Sequence, residues 1–266
     1  MSNWDRLETV LFEVGDDHVA TITLNRPAAM NSFNKQMVDE FDLLWQHIRL
    51  DDAIHAVVLR AAAGRAFSTG VDVKDPSFPD PHPNLWVHAD PGDKLGPKAN
   101  LCWKPVITAV HGLCAAGAFY WLNESDLIIC SDDAQFFEPH VTYGMTAAIE
   151  PIGMTYRMPL GDVMRMALLG NDERICASTA LRIGLVTEVL APDVLWTRAH
   201  ELAAKIAAKP PAAIQGTVRA IWESLDTPRS IALQTALKYT QLGNPIGMAQ
   251  VDRWAIMGKS KTFDVR

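Results

Sequence analysis

Residues 111–118 read His111-Gly112-Leu113-Cys114-Ala115-Ala116-Gly117-Ala118 and follow an apolar stretch at 105–110 that predicts a strand. A comparable segment reads Ala66-Phe67-Ser68-Thr69-Gly70-Val71-Asp72-Val73-Lys74, after a short buried strand predicted at 56–59. Small side chains let a ligand approach the backbone closely, and a free N–H at the start of a helix can donate to a developing oxyanion. Two tight turns packed against a sheet would have the same composition, so the residues alone leave both interpretations open.

The surrounding sequence predicts alternating strands and helices, followed by a helical C-terminal third. Val10–Val14 and Val19–Leu24 alternate in polarity on either side of a Gly-Asp-Asp turn, which predicts a hairpin. Asn34 is a good N-cap, and apolar residues recur at helical spacing on one face after it. Further strands are predicted at 127–130 and 185–190, and further helices at 115–122, 192–209, 211–225 and 229–242. Alternating strands and helices favour an α/β layer architecture.

Composition argues against several classes of protein. The chain has 266 residues, of which 48% are hydrophobic and 21% charged, and its formal net charge is −7. This hydrophobicity is too high for a mainly disordered chain, and the acidic balance argues against a nucleic-acid partner. No window reaches the roughly 18 consecutive apolar residues of a membrane span, and the acidic start does not resemble a signal peptide. The four cysteines are far apart, so we expect reduced thiols and a cytoplasmic protein.

The segment at 75–104 differs from its surroundings because it holds six of the sixteen prolines. Long irregular segments in compact domains are usually functional loops or lids, and a solvated insertion is the alternative interpretation. His82 and His88 lie in this segment without partners at the spacing of metal ligands, so we expect no metal site there.

Six short motifs, taken in order, resemble the crotonase superfamily, also called the enoyl-CoA hydratase/isomerase family. The resemblance covers residues 7–189 well and the remainder loosely. The motifs are Ile22-Thr23-Leu24-Asn25-Arg26-Pro27 with Asn31-Ser32-Phe33, the run from Phe67 to Lys74, the run from Val110 to Gly117, Ser125-Asp126-Leu127-Ile128, Asp133-Ala134-Gln135-Phe136, and the run from Ala180 to Val189.

This resemblance implies a fold and a mode of assembly. Family members have repeated ββα units that form a spiral core, which we expect at 1–190, with 75–104 as a variable insertion. The helical region at 191–266 would then assemble a homotrimer, or a homohexamer made of two trimers.

The resemblance also implies the ligand, an acyl-CoA thioester whose coenzyme A is part of the substrate, with no prosthetic group and no metal. The thioester oxygen would accept hydrogen bonds from the backbone N–H groups of Val71 and Gly117. We expect the thioester to be bound by the residues of these two segments and by Arg26, namely Arg26, Ser68, Val71, Asp72, Val73, Lys74 and Gly117. Local positive potential for the polyanionic coenzyme could come from Arg26 and from Lys74, Lys98, Lys104, Lys259 and Lys261, although for any one lysine a solvated surface charge is the favoured interpretation.

The chain departs from the family pattern at both positions where hydratases carry a catalytic glutamate. Tyr120 stands at the first, three residues after Gly117, and His140 stands at the second, in Phe137-Glu138-Pro139-His140. A neutral His140 could act as a general base, and Tyr120 could donate a hydrogen bond or form the wall of an acyl pocket. Glu150 is the nearest downstream carboxylate.

Other polar residues near these motifs have less defined roles. His111 is interpreted as structural, and His140 could also be a turn histidine bonded to backbone. Glu138 and Asp162 could either support the site or lie at the surface.

Three functions remain open from the sequence. The first is a lyase or isomerase of the enoyl-CoA hydratase/isomerase family that stabilises an enolate with two backbone amides. The second is hydrolytic C–C cleavage (a retro-Claisen reaction) of a β-diketone or β-keto thioester, suggested by His140. The third is a non-catalytic acyl-CoA binding protein, suggested by the missing carboxylates, because a fold does not guarantee an activity.

Overall fold

The computed structural model describes residues 3–75, 86, 90, 92–257 and 265, and these form two compact units that divide at Ala207/Ala208. Among the described residues, the strands of the first unit are β1 (Val10–Val14), β2 (Val19–Leu24), β3 (Ala56–Ala61), β4 (Ala66–Ser68), β5 (Val106–Val110), β6 (Leu113–Ala115), β7 (Leu127–Ser131), β8 (Gln135–Phe137), β9 (Ile175–Cys176) and β10 (Glu188–Leu190). Its helices are α1 (Lys35–Leu50), α2 (Phe119–Glu124), α3 (Ile149–Met154), α4 (Leu160–Leu169), α5 (Ala177–Arg182) and α6 (Leu195–Ala207).

The strands form two sheets, and from β3 to β8 successive strands alternate between them. The larger sheet has the order β1-β2-β3-β5-β7-β10, with an antiparallel β1–β2 hairpin and parallel pairs thereafter. The smaller has the order β4-β6-β8-β9 and is parallel except for β9. Each of the pairs β3/β4, β5/β6 and β7/β8 therefore contributes its first strand to the larger sheet and its second to the smaller. This repetition agrees with the α/β crotonase-like architecture expected from the sequence.

Helix α1 forms where its sequence predicts. The Asn34 side chain accepts a hydrogen bond from Met37 N–H at 3.1 Å, which satisfies one of the unpaired donors of the first turn. The predicted apolar face is buried, with Phe41 and Trp45 fully inaccessible to solvent. This face packs in the main core together with β2, β3 and α2.

Helix α6 covers a second core on the larger sheet. Its buried residues Leu195, Ala199 and Ala203 recur every four positions and lie with Val58 and Ile107 of that sheet. Small alanines at this spacing let the helix approach the strands closely. The first compact unit therefore extends to Ala207, beyond the division predicted at 190.

The second unit, Ala208–Arg266, is helical as expected. Helix α7 (Pro211–Leu225) packs against α8 (Arg229–Ala249), and α9 (Arg253–Ile256) follows. The sequence predicted that α8 would end at 242, and this was wrong because the helix continues through Pro245. Several large apolar side chains on α8 are exposed, among them Leu237 and Leu242. Assembly into trimers or hexamers stays a prediction.

Within the described part of the chain, every helix is too short or too polar to span a bilayer.

Candidate active site

The strands β4, β6 and β8 run parallel and end at the same edge of the smaller sheet, so the residues that follow them meet there. After β4 comes Gly70-Val71, after β6 comes Ala116-Gly117, and after β8 comes the turn that carries Glu138 and His140. Loops at the carboxyl ends of parallel strands are the usual place for binding sites in α/β folds. This edge therefore gathers four of the residues that the sequence singles out.

Gly70 brings the first two loops into contact. Its φ of +86° favours glycine, and a Cβ atom at this position would lie 2.7 Å from the backbone N of Gly117 and 2.9 Å from Ala116 Cβ. The absence of a side chain is thus required by both the backbone conformation and the close approach. As a result, the segment with Val71 lies directly against the segment with Gly117.

The direction of the Val71 amide follows from its neighbours. Phe33 N–H donates to Gly70 C=O, and Asp72 N–H donates to Phe33 C=O, each at 2.8 Å. Successive amides of an extended backbone point to opposite sides. The N–H of Val71 therefore points away from Phe33, outside this pair of hydrogen bonds.

Gly117 lies in a tight turn that leads into α2. Ala115 is extended, Ala116 has a left-handed φ of +51°, and residues 116–118 form a single 3-10 turn before the helix. A left-handed alanine costs roughly 1–2 kcal/mol, and such strain clusters at functional sites. A Cβ on Gly117 would lie 2.6 Å from the Phe33 ring, so a larger residue at 117 would disturb this ring as well as the amide.

Tyr120 is held rigidly beside Gly117. Its hydroxyl donates to Asp90 Oδ1 at 2.6 Å, and a Cβ on Gly92 would lie 2.3 Å from its ring, so a side chain at position 92 would collide with the ring. Burial first, and then the bond to Asp90, raise the pKa of Tyr120. The phenol therefore remains protonated and is a donor, not a base. Asp90 could not be predicted from the sequence, because it lies in the Pro-rich segment, whose contacts depend on the tertiary fold.

His140 is paired with a buried carboxylate. Glu138 has no accessible surface, and its Oε1 bonds to His140 Nδ1 and accepts from the His140 backbone N–H. The hydrogen bond to Glu138 raises the pKa of His140, and burial opposes this shift. With Nδ1 bound to a carboxylate, Nε2 is the ring nitrogen left to exchange a proton. The sequence left open whether Glu138 supports the site or lies at the surface. The structure shows that it is buried and bonded to the His140 imidazole.

Glu150 joins this pair. It lies at the start of α3, is 7% exposed, and has a pKa raised mainly by burial. One oxygen of Glu138, one oxygen of Glu150 and one ring nitrogen of His140 all lie within 4.8 Å of one another. Tyr120 lies within electrostatic range of Glu150. The structure therefore brings together the predicted residues Tyr120, His140 and Glu150.

The residues expected to bind coenzyme A have varied surroundings. Arg26 forms an ion pair with Asp72 at 2.8 Å, and Ser68 is buried with its hydroxyl accepting from Gly70 N–H at 3.2 Å. These contacts fix the loop that carries Val71. Val73, which is 80% exposed, and Lys74 continue this loop on the surface.

Two lysines do not provide the positive surface potential expected of them. Lys98 is buried and forms an ion pair with Asp126 at 2.8 Å, and Lys104 Nζ is buried against the backbone carbonyls of Ile48 and Asp51. That expectation was wrong because their charges are used inside the protein. Lys259, Lys261, His82 and His88 lie outside the described residues.

His111 and Asp162 lie apart from these contacts. His111 is buried with its ring 6.2 Å from that of Trp196, and burial lowers its pKa, which agrees with a structural role. Asp162 lies half-buried in the first turn of α4.

Comparison with known proteins identifies the family. The family model described as enoyl-CoA hydratase/isomerase matches residues 15–241. The chain is 33% identical over 235 residues to (E)-benzylidenesuccinyl-CoA hydratase of Thauera aromatica, with 88% of each chain covered. It is 31% identical over 224 residues to the mitochondrial Delta(3,5)-Delta(2,4)-dienoyl-CoA isomerase of Mus musculus, covering 79% of this chain and 67% of that one.

A solved structure extends the similarity to the fold. A crystal structure of an enoyl-CoA hydratase/isomerase from Mycobacterium paratuberculosis superposes with a TM-score of 0.81 at 32% identity, covering 95% of this chain and 94% of that one. The matched length, the identity and the shared fold lead to one conclusion: this chain belongs to the enoyl-CoA hydratase/isomerase family, the crotonase superfamily.

Proposed function

We propose that this protein is an enzyme that binds an acyl-CoA thioester and holds the thioester oxygen between the N–H groups of Val71 and Gly117. The observation that carries the proposal is the close approach of Gly70 to Gly117 N, which places the two amide-bearing loops against each other. Two backbone donors aimed at one oxygen stabilise the enolate that forms when negative charge moves onto it. Loss of one such donor typically costs about 3 kcal/mol in the activation barrier.

Acid–base chemistry at the acyl carbons is assigned to His140 and Glu150. Nε2 of His140, oriented by Glu138, takes a proton from water while the resulting hydroxide adds to the β carbon of an α,β-unsaturated thioester. The electron pair of the double bond moves onto the thioester oxygen, and Glu150, whose raised pKa favours the protonated form, returns a proton to the α carbon. The net reaction adds water across the double bond. The hydratase named among the relatives supports this direction.

A double-bond isomerisation would use the same groups without water. One of them removes a proton from the α carbon, and the other delivers a proton to the far end of the shifted double bond or conjugated diene. The dienoyl-CoA isomerase among the relatives supports this reaction as a variant of the first candidate.

The buried Glu138–His140 pair favours a second candidate, the hydrolytic cleavage of a β-keto thioester. Here the water activated by His140 attacks the β-ketone, the bond between the α and β carbons breaks, and its electron pair forms the same enolate, which Glu150 protonates. The products are a carboxylic acid and a shorter thioester. The two candidates share every residue, and in both the water attacks the β carbon. They differ in whether that carbon belongs to a double bond or to a ketone, and only in the second does the bond between the α and β carbons break.

The test is to assay a panel of trans-2-enoyl-CoA and β-ketoacyl-CoA thioesters with the wild type and with His140→Gln. Hydration of an enoyl-CoA that falls at least about a hundredfold in the variant supports the first reaction. Cleavage of a β-ketoacyl-CoA with the same dependence supports the second. Tight thioester binding without turnover of any substrate would refute both and favour a non-catalytic binding protein.

The proposal requires coenzyme A only as part of the substrate and no prosthetic group or metal. Sedimentation velocity tests the homotrimer or homohexamer predicted from the resemblance, and fractionation of cells tests the predicted cytoplasmic location.

A further inference from the structure

Carboxyl groups dominate the charged side chains around Tyr120 and His140. Asp90 accepts the Tyr120 hydroxyl at 2.6 Å, and Glu138 and Glu150 lie within 4.8 Å of His140. Asp90, Asp93 and Glu150 all act electrostatically on the Tyr120 hydroxyl. The carboxyl groups of Asp90, Glu138 and Glu150 thus lie around Tyr120 and His140.

The cations near this group are engaged elsewhere. Lys94, which follows Asp93 in the chain, donates to Asp42 at 2.6 Å, and Lys98 forms an ion pair with Asp126 at 2.8 Å. His140 itself is basic, but it is already bound to Glu138. The local charge is therefore weighted toward negative.

One acceptor in the group lacks a donor. Glu138 is fully buried, and its Oε2 has no hydrogen-bond partner among the residues that the structure describes. A buried acceptor without a donor is costly, and an additional negative charge beside it raises that cost, whereas a water or a hydroxyl would lower it. The site is therefore electrostatically complementary to a neutral, hydrogen-bond-donating group.

We infer that the acyl group of the substrate is uncharged and that the carboxyl groups around Tyr120 select against acyl chains that carry a carboxylate. This inference rests on the proposed function, because it concerns the part of the thioester beyond the carbonyl oxygen. Selection arises from the repulsion of a carboxylate by Asp90, which accepts the Tyr120 hydroxyl at 2.6 Å, at short range in a partly buried site where charges are weakly screened. A hydroxyl formed at the β carbon would find an acceptor there.

The test compares two saturated thioesters that differ in one terminal group. Butanoyl-CoA ends in a methyl group, and succinyl-CoA carries a carboxylate in its place, while the coenzyme is identical. Neither presents a double bond or a β-ketone, so isothermal titration calorimetry measures binding of both without turnover. We expect the wild type to bind succinyl-CoA at least about tenfold more weakly, since like charges a few ångströms apart in a protein interact by that much or more.

Asp90→Asn is the diagnostic variant, because the amide oxygen can still accept from Tyr120 while the negative charge is removed. We expect the ratio of the butanoyl-CoA affinity to the succinyl-CoA affinity to fall at least about threefold in this variant, mainly through tighter succinyl-CoA binding. Glu201→Gln is the matched control, since it removes the same charge from an exposed ion pair with Arg198 and should leave the ratio unchanged. Thermal unfolding of each variant verifies that it is folded.

The outcomes separate this inference from the proposed function. Equal affinities for the two thioesters in the wild type, or an affinity ratio that Asp90→Asn does not alter, would overturn the inference and leave the proposed function intact. Failure of the wild type to bind butanoyl-CoA at all would instead contradict the proposed function.

Discussion

Gly70→Ala should push the two amide-bearing loops apart, because even a methyl group has no room where they meet. The added methyl would lie 2.7 Å from Gly117 N, 2.9 Å from Ala116 Cβ and 3.3 Å from Ala115 O. All three atoms belong to buried backbone or to a short, rigid side chain, so none can rotate away. The loop that carries Gly117 must move by several tenths of an ångström.

Two effects add in this variant. An alanine at φ +86° destabilises the fold by roughly 1–2 kcal/mol, whatever the space around it. Displacement of the Gly117 amide from the thioester oxygen costs about 3 kcal/mol in the barrier, which is about a hundredfold in kcat. Stability and activity should therefore both fall, and only the second effect concerns the site.

Gly184→Ala separates the two effects. Gly184 also has φ +86°, but its Cβ would meet only Arg157 O, at an ordinary 3.4 Å. Urea unfolding should show a loss of stability in both variants, larger for Gly70→Ala because of the overlap. Steady-state kinetics on the substrate identified by the thioester panel should show a loss of kcat only for Gly70→Ala. Equal kcat values in the two variants would refute the assigned role of the Gly117 amide.

Three further predictions test other parts of the account. Glu138→Gln should lower the pKa of His140, so the acidic limb of the kcat/KM profile should move to lower pH, and a profile that does not move would contradict the pairing. Because the folded-state pKa of His140 is raised, its stabilisation is present at acidic pH and lost as the pH rises through that pKa, so the variant's deficit in unfolding free energy should be larger near pH 6 than near pH 9. Hydrogen bonds from Ser178 and Thr179 lower the pKa of the exposed Cys176 to about 7, so iodoacetamide should modify Cys176 of the native protein well before the three buried cysteines. Cys176→Ser should remove this fast phase of modification. Absence of a fast phase in the wild type would contradict the structure. Lys104→Met leaves two carbonyls at the end of α1 without their donor and should cost about 2–3 kcal/mol in urea unfolding, whereas a loss below about 0.5 kcal/mol would contradict this capping role.

Features that depend on nearby residues could be predicted from the sequence. Helix α1 has its cap and its apolar face within one stretch, the hairpin β1–β2 has its turn between its strands, and helix α7 runs over the predicted 211–225. In each case the interactions that specify the element lie inside it or directly beside it.

The smaller sheet and most of the site could not be predicted from periodicity. Strands β4, β6 and β8 have three residues each, too few for a pattern, and they form only because the longer strands before them align them. The contact between Asp90 and Tyr120 spans thirty residues of chain. The burial of Lys98 and Lys104 likewise depends on their partners, since a lysine gives no sign in the sequence of being inside.

The site residues were predicted from the resemblance to the family and not from periodicity. Val71, Gly117, Tyr120 and His140 were identified by their positions in the family motifs. The geometry added the support of His140 by Glu138, which short spacing alone did not establish because Glu138 could equally have faced solvent.

The most direct test of the central claim is a crystal structure of the protein with butanoyl-CoA bound. We expect the thioester oxygen to lie about 2.7–3.1 Å from both Val71 N and Gly117 N, with the acyl chain passing Tyr120 toward His140 and Glu150. A thioester oxygen that contacts neither amide, with both N–H groups bonded to other parts of the protein, would contradict the claim.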